Sequence, residues 1–157
     1  MTATKEIYRV NLFLNPLFNP DGMHMGAFNE DNSGFMPGDG TFRVEGRSAH
    51  LLLPELEIGV EYVFRCEVVE EDPDGDTRAS LWTDGSVQLS NFVSPVDGVI
   101  LIRFTYRTDE TGDQSKNRVL FGKGTYTHPQ LELASTFDAA VAGGGASFFS
   151  YRTMPLP

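Results

Sequence analysis

Apolar and polar residues alternate along most of this chain with a period of two. In residues 61–69, Tyr62, Phe64, Cys66 and Val68 share one face with Val60 just before them, while Glu61, Arg65 and Glu67 fall on the other, the pattern of a half-buried β-strand. Ile100, Ile102, Phe104 and Tyr106 repeat it, with Arg103, Thr105 and Arg107 opposite. Shorter stretches of the same kind predict strands at 8–14, 23–29, 41–45, 49–53, 78–83, 87–92, 118–121, 125–133 and 147–152. Between them stand reversal signals: Asn19-Pro20-Asp21-Gly22, Pro37-Gly38-Asp39-Gly40, Asp72-Pro73-Asp74-Gly75, Asp84-Gly85, Asp97-Gly98 and Thr111-Gly112-Asp113. The only helix-like composition is 137–142, short enough to read as one turn or a flexible loop before Gly143. The longest polar stretch, 29–40, predicts a surface loop. Regularly spaced turns between short strands predict an all-β fold, an antiparallel β-sandwich or barrel.

Composition narrows the class. A chain of 157 residues suits one domain with a core of its own, spanning 1–157 with its packed part at about 7–152. Twelve Lys and Arg against 22 Asp and Glu give a net charge of -10, which disfavours phosphate backbones and anionic lipid surfaces as partners. The lone Cys66 has no internal disulfide partner and sits on the apolar face of its strand, where it reads as a small core residue. Met1 to Glu6 contains no apolar leader segment, and no apolar run reaches membrane-spanning length, so synthesis in a cytoplasm is expected.

Candidate chemistry is sparse. Asp72-Pro73-Asp74-Gly75-Asp76 imitates the start of a calcium loop, but Thr77 stands where the turn glycine belongs and Thr83 where the bidentate glutamate belongs, so a solvated turn is the simpler expectation. His24, His50 and His128 show no metal-ligand spacing. No nucleophile elbow or phosphate-binding glycine loop is present, and paired carboxylates of the glycosidase kind arise only in three dimensions. The aromatics are more suggestive, since a sugar lays its apolar face on an exposed Trp or Tyr and bonds its hydroxyls to nearby polar groups. Trp82 alternates with Leu81. With Leu81 inward, Trp82 stands exposed beside Asp84 and Gln88, with Tyr106 as a core or cleft wall; with Trp82 inward, the platform is gone. Tyr8, Leu12, Phe13 and Phe148 are candidates for docking on a partner, as is the extended Pro155-Leu156-Pro157 end.

Two segments bracket the pattern. Val10 to Leu14 runs into Asn15-Pro16-Leu17-Phe18-Asn19, and late in the chain His128-Pro129-Gln130-Leu131-Glu132 precedes the aromatic Ser147-Phe148-Phe149-Ser150-Tyr151. With Gly59-Val60-Glu61-Tyr62-Val63-Phe64 and the Ile100 strand between them, this order resembles the jelly-roll domains of phage minor tail proteins, which are similar in turn to carbohydrate-binding modules of the family 4 and 9 type. The resemblance implies a jelly-roll, galactose-binding-like β-sandwich. It implies a non-enzymatic virion protein, made in the host cytoplasm and assembled into the particle at the tail or tail tip. Its partners would be other virion proteins and a host cell-wall polysaccharide, with homo-oligomers, trimers included, as the usual state. A capsid decoration protein and a free-standing carbohydrate-binding module are the alternatives. The family holds a structural calcium with acidic residues near both motifs. Here Asn19, Thr127 and His128 occupy those places, so the expectation is a scaffold without calcium or other cofactor.

Overall fold

The computed structural model describes residues 8–20, 34–84, 87–108, 114–143 and 153–155. They build the expected all-β antiparallel fold, in keeping with a β-sandwich. β1 is Tyr8–Val10, β2 Gly34–Phe35, β3 Thr41–Leu52, β4 Glu61–Glu71, β5 Ala79–Thr83, β6 Val87–Gln88, β7 Val99–Thr105, β8 Arg118–Leu133 and β9 Thr153–Pro155; a helix, α1, covers Ala134–Ala142. β2 to β8 form one seven-stranded sheet.

The sixteen-residue β8 is the spine of that sheet. One of its edges pairs with β3 from Thr41↔Thr127 to Leu52↔Arg118. Its other edge pairs with β4 over its C-terminal half, from Tyr62↔Leu133 to Glu71↔Gly124, and with β5 over its N-terminal half, from Ala79↔Phe121 to Trp82↔Arg118. β7 extends the sheet beyond β4, and β6 beyond β5. Inward residues of β3, β4, β5, β7 and β8 meet in one hydrophobic cluster that includes Phe42, Phe64, Leu81, Ile100, Ile102, Phe121 and Tyr126.

The strands expected at 8–14 and 87–92 end early, at Val10 and Gln88, and three further expectations need correction. The segments 41–45 and 49–53 are one strand, as are 118–121 and 125–133, because Glu45, Gly46 and Arg47 form an irregularity within β3 and Gly122, Lys123 and Gly124 continue β8 without an apolar signal. Residues 137–142 are not a loop but the greater part of α1, whose Ala134 and Phe137 pack with Val63 of β4. The loop expected at 29–40 gives way at Gly34–Phe35 to β2, which pairs with Val44 and Arg43. The strand expected at 23–29, and that at 147–152 together with Phe148, lie outside the described residues.

Burial shifts ionisable groups of the core. Burial pushes the Cys66 thiol far up, opposed weakly by Arg65, so it stays protonated and acts as a small apolar side chain. His50, 4% exposed on β3, is lowered to about 4 by burial, with the Arg118 charge adding to the effect. The folded pKa lies below the unfolded value near 6.5, so stability is complete above about pH 6.5 and falls as the unfolded chain alone takes up the proton on the way down to about pH 4. We expect a loss on the order of 2–3 kcal/mol across that window, seen as a declining urea midpoint, and a flatter profile for His50→Leu. Parallel profiles for the two proteins would show that His50 is charged in the folded state.

Candidate functional site

The N-terminal segment has its polarity reversed. Arg9, Asn11 and Phe13 point inward at 0%, 1% and 3% exposure, whereas Val10 and Leu14 are exposed, Leu12 is half-buried and Leu17 is the most open of the group. A strand edge ordinarily puts its apolar set inside. Here the inward polar residues are retained because the opposite bracket of the chain satisfies them.

Arg9 donates through Nε to Glu132 Oε2 and through Nη2 to Glu132 Oε1, both at 2.8 Å, with both side chains fully buried. Gln130 Nε2 donates to Glu132 Oε1 at 2.8 Å, and Thr136 Oγ1, from the first turn of α1, donates to Oε2 at 2.7 Å. Asn11 Oδ1 accepts from the Leu131 and Phe13 amides, while its Nδ2 donates to the Pro129 carbonyl. The Leu12 amide donates to the Leu131 carbonyl at 2.6 Å. Glu132 and the Leu131 backbone thus hold the N-terminal segment directly, with Gln130 bracing Glu132, and β1 closes the ends by pairing Val10 with Thr153 and Tyr8 with Pro155.

The Asn15-Pro16-Leu17-Phe18-Asn19 motif is explained by the same economy of local bonding. Asn15 Oδ1 accepts from the Asn19 amide and its Nδ2 donates to the Asn19 carbonyl, while the Phe18 amide donates to the Asn15 carbonyl. This side-chain-closed turn holds Phe18 at φ 50°, a left-handed conformation unusual for an aromatic residue, and drives its ring into the core, 5.9 Å from Phe13 and 5.6 Å from Phe42. The remaining apolar residues of the segment look outward. Val10, Leu12, Tyr62 and Leu133 line a shallow depression of about 330 Å³ rimmed by Glu55 and Glu57.

The docking set expected from the sequence is therefore redistributed. Phe13 is a core residue because its ring packs edge-on against Phe18 and lies 6.1 Å from Phe64. Leu12 is half-buried at the depression, and the backbone of Tyr8 pairs in β1. The exposed members are Val10, Leu14 and Leu17, which pattern analysis passes over because it assigns apolar residues to the interior. The one available signal was the alternation of polar Arg9, Asn11 and Asn15 with aliphatic neighbours.

The expected sugar platform is brought together only in part. Leu81 is fully buried and Trp82 half-buried, directly across from Gln88 in the β5–β6 pair. Trp82 Nε1 donates to Ser80 Oγ at 2.7 Å, and the Arg118 guanidinium lies 5.9 Å from the indole. Asp84 is not beside them at the surface: it is 1% exposed, with its carbonyl accepting from Arg118 Nη1. Tyr106 is likewise removed, fully buried with its hydroxyl donating to Asn117 Oδ1 at 2.8 Å and lying 3.1 Å from Thr83 Oγ1. Both corrections have one cause, a buried polar cluster under the β5–β6 turn that draws these groups inward.

The acidic 72–76 segment folds as a self-bonded turn. Asp72 accepts through its carbonyl from Gly75 and through Oδ2 from Asp76, and the Asp72 amide donates to Thr77 Oγ1. His128 is exposed and bonds through Nδ1 to Glu67 Oε2. Among the described residues no three His, Cys, Asp or Glu side chains come together in a way that could hold a metal ion. Set beside known proteins, the chain matches no family model, no curated protein and no solved structure.

Proposed function

We propose that this chain is a non-enzymatic structural component of a bacteriophage particle, a jelly-roll domain at the tail or tail tip that docks on other virion proteins and contacts host carbohydrate. The observation that carries the docking half is the reversed N-terminal segment. Val10, Leu14 and Leu17 are held outward on a backbone fixed by the Arg9–Glu132 pair, which gives a partner a preformed apolar edge and spares the ordering cost of binding. The virion assignment itself rests on the resemblance of the bracketing motifs to phage tail domains. The use of Gln130 and Glu132 as fastenings agrees with a scaffold role for the same motif.

Localisation in purified particles tests the assignment. Electron microscopy with copy number by mass spectrometry should place a few copies at the tail. Coverage of the whole shell would replace the tail reading with capsid decoration, and absence from particles would overturn both. The docking half has its own test: Val10→Asp combined with Leu14→Asp should abolish incorporation while leaving the unfolding midpoint near that of the wild type. Normal incorporation of that variant would remove this edge from the interface.

A further inference from the structure

A second site lies where β3 departs from regular pairing. Val44 pairs with Gly124 and Ser48 with Gly122, so β3 carries two more residues than β8 over the same interval, and Glu45, Gly46 and Arg47 arch away from the ladder. On β8, Gly122 permits an unusually close neighbour. A Cβ there would stand 2.0 Å from the Asp76 carbonyl oxygen, and the Gly122 amide donates to the Arg78 carbonyl at 2.8 Å. Between arch and turn is a cleft of about 690 Å³ whose walls include Glu45, Arg47, Asp76, Arg78, Phe92 and Lys123. Its volume falls within the range of small-ligand sites.

The charge of this cleft runs against that of the molecule. The chain has 12 Lys and Arg against 22 Asp and Glu, yet three cations and two acids converge here. The Arg78 guanidinium carbon lies 4.3 Å from the centre of the Phe92 ring, and Phe92 is itself 38% exposed. A guanidinium stacked on a ring keeps its in-plane N–H groups available, and Arg78 makes no ion pair among the described residues. Lys123 contributes a half-exposed ammonium with one long contact, 3.8 Å to Asp72 Oδ1. A planar fork held flat on an aromatic, with a second cation alongside, is suited to a carboxylate. Glu45 and Asp76 offer acceptors for hydroxyl groups.

We propose that this cleft binds an acidic glycan, a pyranose bearing a carboxylate, with the carboxylate at Arg78 and Lys123 and the ring against the Arg78–Phe92 stack. The proposal rests on the carbohydrate-contact half of the function above and relocates it from Trp82. Titration calorimetry with trigalacturonate, its methyl ester and triglutamate tests it on the full chain. Trigalacturonate should bind with an affinity that falls as salt is raised, the ester should bind about tenfold more weakly, and triglutamate should be weaker than the acid sugar. Arg78→Gln and Lys123→Gln should each weaken trigalacturonate by about tenfold at an unchanged unfolding midpoint, and Trp82→Ala should bind as the wild type does. Equal binding of acid and ester with loss only in Trp82→Ala would overturn this cleft while leaving sugar contact intact. Equal or tighter binding of triglutamate would make the ligand an acidic peptide and overturn the glycan. No binding by any probe would overturn the cleft and the carbohydrate half together, without touching the particle-localisation result.

Discussion

Replacing Arg9 with methionine is expected to destabilise the protein by about 3–5 kcal/mol, because it leaves the Glu132 carboxylate fully buried with its charge uncompensated. Gln130 and Thr136 still donate to that carboxylate in the variant, but two neutral donors do not replace a guanidinium that meets both oxygens. The double change Arg9→Met with Glu132→Leu should recover most of the loss, since an ion pair exchanged for apolar residues of similar volume is often neutral once neither charge is stranded. Urea unfolding of the wild type, both single variants and the double variant closes a thermodynamic cycle whose coupling should be about 3 kcal/mol or more, because Glu132→Leu likewise strands the buried Arg9 charge. A single Arg9→Met variant within about 1 kcal/mol of wild type would mean that the N-terminal segment is not fastened through this pair. The consequence for function is direct, because the outward posture of Val10 and Leu14 depends on Arg9 and Asn11 being held inward. The Arg9→Met variant should therefore lose partner docking more than the double variant does.

The strands that were legible in the sequence are those whose alternation is uninterrupted. In β4, Tyr62, Phe64 and Cys66 point inward as their spacing requires, and β7 reproduces the pattern with Ile100, Ile102 and Phe104. β3 and β8 each look like two pieces in the sequence because the residues at their midpoints serve the arch and the close approach at Gly122 rather than the core. No pattern of period two survives such an insertion, although the backbone pairing resumes beyond it. Helix α1 gave little warning. It starts after Leu133 without a side-chain cap, its residues are mostly small, and its place is fixed by Phe137 packing with Val63 and by Thr136 bonding to Glu132.

The sites were less legible than the strands, for a reason that particular residues make plain. Pattern analysis sends Phe13 outward or inward by its local neighbours, but what settles it is Phe18, delivered into the core by a turn that Asn15 closes with its own side chain. Arg9 reads as a surface residue until its partner is seen, and Glu132 lies 123 positions away in sequence. Arg47, Arg78, Phe92 and Lys123 come from three separate parts of the chain, and only the arch of β3 and the bare Cα of Gly122 make a cleft of them. In each case the deciding contact is non-local, and the local sequence carries only its consequence.

The second large effect is expected at Phe121. Its ring is fully buried at the centre of the aromatic core, with centroids 4.7 Å from Tyr126, 5.4 Å from Phe42 and 6.1 Å from Phe64. Both strands flanking β8 place an alanine directly opposite, Ala49 on β3 and Ala79 on β5. Large against small on both sides is how this core reaches native density, and it also means that neither cross-strand neighbour has a side chain able to swing into a vacancy. Phe121→Ala should accordingly fall in the upper range for such truncations, about 3–5 kcal/mol, whereas Phe121→Leu should cost about 1–2 kcal/mol because most of the volume stays filled. Ala79→Val in the Phe121→Ala background should restore part of the loss, although in the wild type the same change overpacks the site and destabilises it. The sign of the Ala79→Val effect, read from urea midpoints in the two backgrounds, is the decisive measurement. A destabilising Ala79→Val in both would show that the space vacated by Phe121 is taken up by Phe42, Phe64 and Tyr126 instead, and that the core is held by its aromatic cluster rather than by the cross-strand fit.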